Sequence, residues 1–273
     1  MRLSEAGELG LLRELEARGL VTGVEHDAAE LAGGLVVTQD ALVEGVHFTL
    51  DRLSWRELGF RAAAVNISDL SASAARPEAL IVTLALRGDT RVADVVELYE
   101  GLAEAGVPVR GGDTTSAGQT LLSVTALGRS ERVPGRAGAR PGDLVVVTGP
   151  LGAAGAAFRE DRYIRPPLRT EEGLRLGAVA TAMLDVSDGL AVDAAHVTRR
   201  SGCRVEIDLE RVPLGGELDD LGFGEDFELL ATVPSNSLLQ GCTAIGRCEE
   251  GEGVELRLHG EPYDLRGYEH FRA

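Results

Sequence analysis

The chain of 273 residues contains no lysine, so arginine supplies all 27 of its formal positive charges. A Walker-type nucleotide-binding loop, a protein kinase and a Schiff-base enzyme each depend on a lysine amine. The sequence therefore excludes all three. Any phosphate group that this protein binds must be held by arginine, by backbone N–H groups or by a metal ion.

Cysteine is scarce, and long apolar runs are absent. Cys203, Cys242 and Cys248 show no C-x-x-C spacing, which argues against a zinc site and fits a reducing cytoplasm. No apolar run approaches the roughly 20 residues of a membrane-spanning helix. Residues 1–20 have the spacing of a charged amphipathic helix and not that of a signal peptide. We therefore expect a cytoplasmic protein with no membrane partner.

Positive charge is in short supply overall, because 44 acidic residues face 27 basic ones and the net charge is −17. Without a basic patch, the chain is not expected to bind nucleic acid or an anionic membrane surface. An excess of carboxylates fits a protein that collects divalent cations. Acidic solubility is, however, the more common explanation of net charge alone.

The apolar residues that are present alternate between strand-like and helix-like patterns in both halves of the chain. Residues 79–86 and 119–129 have strand patterns, and residues 54–70 have helical spacing that begins with a capping box. Residues 132–143, rich in glycine, proline and arginine, predict a domain boundary. Because strict β-α-β alternation is missing, we predict the α+β class with two domains. These are an N-terminal mixed sheet with helices (residues 1–135) and a C-terminal α/β sandwich (residues 136–273).

Six aspartates stand in short motifs flanked by glycine or hydroxyl side chains, and most follow an apolar, strand-like run: Asp27, Asp40, Asp69, Asp113, Asp185 and Asp188. Carboxylates at strand ends lie where ligands collect in α/β folds. Oxygen ligands favour Mg²⁺, and several around one cleft indicate a metal-bound polyphosphate. An isolated aspartate beside a turn is more often a cap or turn residue, so the prediction depends on the recurrence of the pattern.

Two of these motifs have a second interpretation. The Gly111-Gly112-Asp113 segment allows the backbone to approach a phosphate and offers a metal ligand, but it also makes an ordinary turn. The segment 185–190 precedes a predicted helix, whose N-terminus is a natural anion site. Ser187 or Asp188 alternatively serves as the N-cap of that helix.

Six motifs follow one another in a fixed order between about residue 23 and the C-terminus. They are DALVEGVHF (40–48), VNISDL (65–70), GGDTT (111–115), DVSDGL (185–190), GEDFEL (224–229) and GYEHF (267–271). This ordered set resembles the thiamine-monophosphate kinases of the aminoimidazole-ribonucleotide-synthetase-like (PurM-like) superfamily. The resemblance implies PurM-like N- and C-terminal domains and transfer of a phosphoryl group from ATP to thiamine monophosphate with several Mg²⁺ ions. It also implies a homodimer in which the N-terminal halves join their sheets.

The resemblance further implies roles for individual residues. The Mg²⁺ ligands would be Asp27, Thr38, Asp40, Asp69, Asp113, Asp185 and Asp188. ATP would contact Tyr99, Gly112, Asp113, Arg136 and Ser187, and thiamine monophosphate would contact His47, Glu225 and Tyr268. Asp113, Arg136 and Asp188 would act directly in the transfer. Purely structural roles for His47 and Tyr268 are the alternative.

The implied reaction needs no catalytic base, because the second pKa of a phosphate monoester is about 6 and the acceptor is largely dianionic at neutral pH. Metal ions and Arg136 would relieve the repulsion between two polyanions and align an in-line transfer. The chain departs from the family pattern at Glu25-His26-Asp27, where two aspartates are usual, and at Gln39, where a hydroxyl is usual. Two alternatives stay open: another ATP-dependent synthetase of the superfamily, and a catalytically weakened protein that binds nucleotide or thiamine phosphate.

Overall fold

The computed structural model of the chain describes residues 2–22, 26–265 and 267–268. Its strands form two mixed sheets, one from each half of the chain. The segment 130–143 that joins them contains no helix or strand. The predicted α+β class with two sheet-based halves is confirmed, whereas the division at residue 135 stays a prediction.

Within the described residues, the N-terminal half contains three α-helices and five strands: α1 (Leu3–Ala17), β1 (Ala29–Leu31), β2 (Leu35–Val43), α2 (Trp55–Ala72), β3 (Arg76–Leu86), α3 (Val92–Glu104), β4 (Val109–Ser116) and β5 (Leu121–Arg129). The strand order is β1-β2-β5-β3-β4. Neighbouring strands are antiparallel except β3 and β4, which are parallel because α3 connects them as a crossover. This topology places β4 at one edge of the sheet.

Helix α2 contacts strands of both sheets. It begins as the sequence predicts, because the Ser54 hydroxyl accepts a hydrogen bond from the Glu57 N–H at 3.3 Å. Of its 18 residues, 14 are buried, which its many alanines make possible. A Cβ atom on Gly59 would lie 1.9 Å from the carbonyl oxygen of Leu98, so the close crossing with α3 requires glycine. The helix therefore carries side chains into the space between the halves.

The part of the C-terminal half that the structure describes contains seven strands and three α-helices: β6 (Leu144–Val147), α4 (Ala153–Arg159), α5 (Thr170–Gly177), β7 (Ala182–Asp185), α6 (Leu190–Ser201), β8 (Arg204–Asp208), β9 (Leu229–Val233), β10 (Thr243–Glu249), β11 (Gly253–Leu258) and β12 (Glu261–Pro262). The strand order is β12-β11-β8-β10-β6-β9-β7. Val145 and Val147 enter one hydrophobic core and Val146 enters another, so both faces of the sheet are covered. Within the described ranges, no helix combines the length and apolar character that a bilayer crossing needs.

The structure corrects the expectation that most of the six aspartates follow strand ends. Asp185 is the last residue of β7, but Asp40 lies inside β2 and Asp69 lies in α2. The segment around Asp113 is not a turn, because parallel pairing with β3 extends β4 through it. A Cβ atom on Gly112 would lie 1.8 Å from the carbonyl oxygen of Val82, so this strand requires glycine for packing.

Candidate active site

A cavity of about 990 Å³ opens between the two halves of the described chain. A volume of this size accommodates a substantial ligand. Its lining brings together eleven of the residues that the sequence singles out: Asp27, Thr38, Asp40, His47, Asp69, Arg136, Asp185, Ser187, Asp188, Glu225 and Tyr268. The residues implied for metal, ATP and thiamine phosphate therefore share one cavity, apart from three that are described below.

Three carboxylates meet where the two halves approach each other. Oxygen atoms of Asp27, Asp69 and Asp185 lie within 4.8 Å of one another. The Thr38 hydroxyl donates a hydrogen bond to Asp69 Oδ2 at 2.5 Å, and the Ser68 hydroxyl donates to Asp185 Oδ2 at 2.6 Å. Each donor comes from a different element than its acceptor, so the folded chain fixes the orientation of these carboxylates before any ligand binds.

Arginine and asparagine side chains complete this acidic cluster. Arg136 Nε donates to Asp27 Oδ1 at 2.9 Å, and Arg136 Nη2 contacts the same oxygen. The backbone N–H of Asp40 donates to Asn66 Oδ1 at 3.1 Å, and Asn66 donates to the Ala62 carbonyl at 3.0 Å. A guanidinium group thus lies against the carboxylates, and β2 is tied to α2 beside them.

Burial makes these carboxyl groups difficult to ionise. It raises the pKa of Asp185 to about 7, with a further contribution from the charge of Asp27. Burial and the charge of Asp188 raise the pKa of Asp40 to about 6. Burial also raises the pKa of Asp69, with help from neighbouring carboxylates, and that of Asp27 despite the attraction of Arg136. Several carboxyl groups are therefore crowded where water solvates their charged form poorly.

The donor set of this cluster fits Mg²⁺. Crowded, desolvated carboxylates are stabilised by a bound cation, and oxygen donors without thiolates favour Mg²⁺ or a similar ion. Thr38, which the resemblance adds to the ligands, donates its hydroxyl hydrogen to Asp69 in this structure. Glu25, the acid at the departure from the family pattern, lies outside the described residues.

A buried carboxylate holds the loop that follows β7. Asp193 Oδ2 accepts hydrogen bonds from three consecutive backbone N–H groups, those of Ser187 at 3.1 Å, Asp188 at 3.0 Å and Gly189 at 3.0 Å. The N-cap of α6 is Gly189, so the interpretation of Ser187 or Asp188 as that cap is wrong. The anchored loop instead presents Ser187 and Asp188 to the cavity.

Arg61 lines the cavity from a part of α2 that lies about two turns before Asp69. The two residues are eight positions apart on one face of the helix, which corresponds to about 12 Å along its axis. Arg61 Nη2 forms an ion pair with Glu225 Oε1. Glu225 has a φ of 58°, which is unusual for a residue with a side chain, and its N–H donates to the Ser187 carbonyl at 2.8 Å. The ion pair therefore spans the cleft between the halves.

The two aromatic residues predicted for the substrate are tied to the backbone nearby. His47 Nδ1 accepts a hydrogen bond from the Val43 N–H at 3.0 Å, which fixes the orientation of the ring. The backbone N–H of Tyr268 donates to the Asp188 carbonyl at 3.0 Å, and this residue is 47% exposed. Both belong to the lining, so a structural hydrogen bond and a ligand contact are compatible at each position.

Three predicted residues do not join the cavity within one chain. Gly112 and Asp113 lie on the edge strand β4, and Tyr99 lies on α3; all three are exposed. In the sheet, Asp113 pairs with Thr83, and three strand spacings of nearly 5 Å, about 14 Å in total, separate β4 from β2. Asp113 does not reach the acidic cluster of its own chain because the strand order places β3 and β5 between them.

Sequence reasoning missed four side chains that build the site: Arg61, Asn66, Ser68 and Asp193. For Arg61 a signal existed, because Arg61, Val65 and Asp69 recur at four-residue intervals and must share one face of a helix. An acid in the first turn of a helix, such as Asp193, is ordinarily explained by the helix dipole alone. Its contacts with the loop become visible only in the folded chain.

Comparison with known families is consistent with this architecture. The model for the N-terminal domain of AIR synthase related proteins matches residues 25–130, and the model for the corresponding C-terminal domain matches residues 140–258. Thiamine-monophosphate kinase of Aquifex aeolicus (strain VF5) is 35% identical over 99% of this chain and 100% of the relative. The enzyme of the same name from Methanopyrus kandleri is 34% identical over 85% of this chain and 84% of the relative.

Solved structures match over nearly the whole length. The structure of AaThiL complexed with AMPPCP and TMP has a TM-score of 0.91 and 32% identity, covering 99% of each chain. Thiamine-monophosphate kinase from Stenotrophomonas maltophilia K279a has a TM-score of 0.75 and 30% identity, covering 94% of this chain and 98% of that one. Hydrogenase maturation protein HypE in complex with ATP, at 18% identity and a TM-score of 0.72, shares the fold alone. Together with the family models, these matches confirm the two PurM-like domains.

Proposed function

The chain belongs to the thiamine-monophosphate kinase family, and we propose that it transfers the terminal phosphoryl group of ATP to thiamine monophosphate, which yields thiamine diphosphate and ADP. The observation that carries this proposal is one cavity whose lining contains the acidic cluster, Arg136 and Glu225. The AaThiL structure with AMPPCP and TMP supports the same pair of substrates for a relative of this fold.

We assign Mg²⁺ to the acidic side chains of the cavity: Asp27, Asp40, Asp69, Asp185 and Asp188. More than one ion is proposed, because Mg²⁺ usually takes one or two protein carboxylates and keeps several waters. When bound, Mg²⁺ supplies positive charge that screens the phosphates of both substrates from each other. The raised pKa of Asp185 and of Asp40 supports this assignment, because a bound cation would stabilise the ionised form of both buried groups.

The chain's own residues would bind and orient the reacting phosphates. Arg136 offers guanidinium donors beside Asp27, and Ser187 lines the same cavity on a loop that Asp193 holds in place. Fixed donors of this kind stabilise charge that is shared between attacking and leaving oxygens in an in-line transfer. The acceptor phosphate is already largely dianionic at neutral pH, so no side chain has to remove a proton.

Three further residues of the lining suit a cationic ring system. Glu225 provides a carboxylate, and Tyr268 provides an exposed aromatic face that attracts a cation. His47 is oriented by its bond to Val43 and lies in the same lining. These three residues would hold thiamine monophosphate with its phosphate directed towards the acidic cluster.

We also propose a homodimer in which the partner completes the site. All residues of β4 from Arg110 to Ser116 are exposed, although they form a regular strand at a sheet edge. An exposed edge strand of this length is a ready surface for pairing with a second chain. In this dimer we assign the partner subunit's Asp113 and the partner subunit's Tyr99 to the nucleotide, since neither residue reaches the cavity of its own chain. A cytoplasmic location likewise stays a prediction.

The proposal is tested by incubating the purified protein with ATP, Mg²⁺ and thiamine monophosphate and by separating the thiamine phosphates chromatographically. Stoichiometric thiamine diphosphate and ADP are expected, with no product in excess EDTA or with unphosphorylated thiamine. ADP release with a carboxylate or amide substrate but not with thiamine monophosphate would indicate a synthetase instead. Tight binding of thiamine monophosphate by calorimetry without turnover would identify a binding protein, an alternative that the Glu25-His26-Asp27 departure motivates.

A further inference from the structure

The ion pair between Arg61 and Glu225 differs from the other charged contacts of the cavity. The Arg61 side chain is only 11% exposed, whereas that of Glu225 is 36% exposed, and both line the cavity. Arg136 is committed to the acidic cluster, and Arg52, which also lines the cavity, pairs with the exposed Asp161 at 2.8 Å. Arg61 and Glu225 therefore present a donor and an acceptor side by side in the cavity.

Hydrogen bonds hold the backbone beside Glu225 in an unusual conformation. Glu225 and Phe227 both have positive φ angles, and their N–H groups donate to the carbonyls of Ser187 at 2.8 Å and Val186 at 2.9 Å. A Cβ atom on Gly224 would lie 2.2 Å from the Ser187 carbonyl oxygen. Strained conformations that the surroundings hold in place are characteristic of ligand contacts. The carboxylate of Glu225 is thus aimed before the substrate arrives.

The pyrimidine of thiamine carries a complementary pair of groups. Its exocyclic amino group donates hydrogen bonds, and the adjacent ring nitrogen accepts one. Arg61 lies about 12 Å along α2 from Asp69, so a substrate whose phosphate approaches the acidic cluster extends its rings towards the ion pair. A guanidinium group can only donate, and a carboxylate can only accept, so the pair fits one orientation of this ring edge.

We propose that Arg61 and Glu225 together determine specificity for the aminopyrimidine of thiamine monophosphate, an inference that rests on the proposed function. Glu225 accepts a hydrogen bond from the exocyclic amino group, and Arg61 donates one to the adjacent ring nitrogen. Arg61 also neutralises Glu225 in the free protein, so that the carboxylate stays oriented without substrate. Arg61 does not contact the transferred phosphoryl group.

The test compares thiamine monophosphate with oxythiamine monophosphate, in which a carbonyl oxygen replaces the amino group and the ring nitrogen carries hydrogen. The carbonyl oxygen would then face the Glu225 carboxylate, and the ring N–H would face the Arg61 guanidinium group, so neither proposed hydrogen bond could form. Dissociation constants are measured by calorimetry with the full-length protein and Mg²⁺, so the readout does not depend on turnover. The wild-type protein should bind thiamine monophosphate at least about 100-fold more tightly, because a site built for hydrogen bonds rejects a mismatched group strongly.

Two variants and a matched control separate specificity from general binding. In Glu225→Gln, whose amide both donates and accepts, and in Arg61→Met, the ratio of the two dissociation constants should fall by at least about tenfold. Arg52→Met removes another arginine from the lining and should leave the ratio unchanged. Thermal unfolding confirms that each variant folds. If Arg61→Met does not fold, the Glu225→Gln variant alone tests the inference.

Two outcomes would overturn the inference. Equal loss of affinity for both compounds in Arg61→Met would place Arg61 on a part of the substrate that the two compounds share, such as the phosphate, and not on the ring edge. A wild-type protein that does not discriminate would show that the pair does not contact the ring edge. Wild-type protein that discriminates between the compounds but forms no thiamine diphosphate would contradict the proposed phosphoryl transfer and leave this inference standing.

Discussion

The acidic cluster and the edge strand β4 both present aspartates, but the chain prepares them in opposite ways. Asp69 and Asp185 are held by hydroxyl donors, and burial raises the pKa of each. Asp113 is exposed on β4, and among the described strands only β3 pairs with β4. One chain thus builds the first region completely, whereas the second depends on a partner under our proposal.

The difference concerns when desolvation occurs. Folding removes water from the cluster and concentrates like charges there, which opposes stability and favours a cation. The edge strand keeps its hydration until something pairs with it, so folding and binding are separated there. Substitutions in the cluster should therefore affect function and stability in opposite directions, whereas substitutions on β4 should affect function alone.

The largest effect is expected for Asp185→Asn. Removing this carboxylate should lower kcat by about 10²–10³-fold, since one member of an electrostatic site is lost. The melting temperature should stay equal or increase, because the side chain keeps its shape, Ser68 can still donate to it, and an unfavourable buried charge is gone. Steady-state kinetics and thermal unfolding measure both. The matched control is Asp89→Asn, which changes an exposed acid in a loop. An Asp185→Asn protein that fails to fold would contradict the idea that the buried carboxylate opposes stability.

A complementation experiment tests whether β4 acts on the partner's cavity. Asp113→Asn and Asp185→Asn should each be inactive as homodimers. In a randomly mixed population, half of the dimers combine the two variants, and each of these has one intact site, so about a quarter of wild-type activity should return. Gel filtration confirms that the subunits have exchanged. No recovery in exchanged dimers would mean that Asp113 serves its own chain or has no role.

The sequence predicted the fold better than the placement of side chains. The capping box at Ser54 and the strand patterns depend on neighbours in sequence, so α2 and β5 lie where the periodicity indicates. The order of six motifs was sufficient to identify the family. By contrast, the segment around Asp113 has the composition of a turn, and only pairing with β3 makes it a strand.

Side chains that act across the fold were harder to predict. Asp193 is separated by only a few residues from the loop that it holds, yet nothing local distinguishes it from an ordinary first-turn acid. Arg61 and Glu225 are 164 positions apart, so their pairing depends on how the halves meet. The strand order that separates Asp113 from the cluster is also a property of the sheet and not of any motif.

A smaller effect is expected on α3. Tyr99 is 36% exposed, so Tyr99→Ala should leave the melting temperature almost unchanged. If its ring contacts the adenine of ATP, KM for ATP should increase about tenfold while kcat changes little, because stacking on a base contributes binding energy without touching the reacting atoms. Val96→Ala, on the same helix and also exposed, is the control. An unchanged KM would remove Tyr99 from the nucleotide site.

The smallest effect, a shift of about 2–6 °C in melting temperature, should appear in the pH dependence of stabilisation by Mg²⁺. Burial raises the pKa of Asp185 to about 7 and that of Asp40 to about 6, above the value of about 4 in an unfolded chain. Between these values the folded protein binds more protons than the unfolded one, so the metal-free protein loses stability as pH rises from about 4 to about 7.

Mg²⁺ competes with those protons, so the increase in melting temperature that it causes should be larger at pH 8 than at pH 5. Thermal unfolding across that range, with and without saturating Mg²⁺, measures the difference. Asp185→Asn should show a weaker pH dependence in the metal-free state, because its side chain no longer titrates. Asp113→Asn should retain the wild-type dependence, since Asp113 lies outside the buried cluster. A Mg²⁺ effect that is larger at pH 5 would mean that the buried carboxylates do not hold the ion.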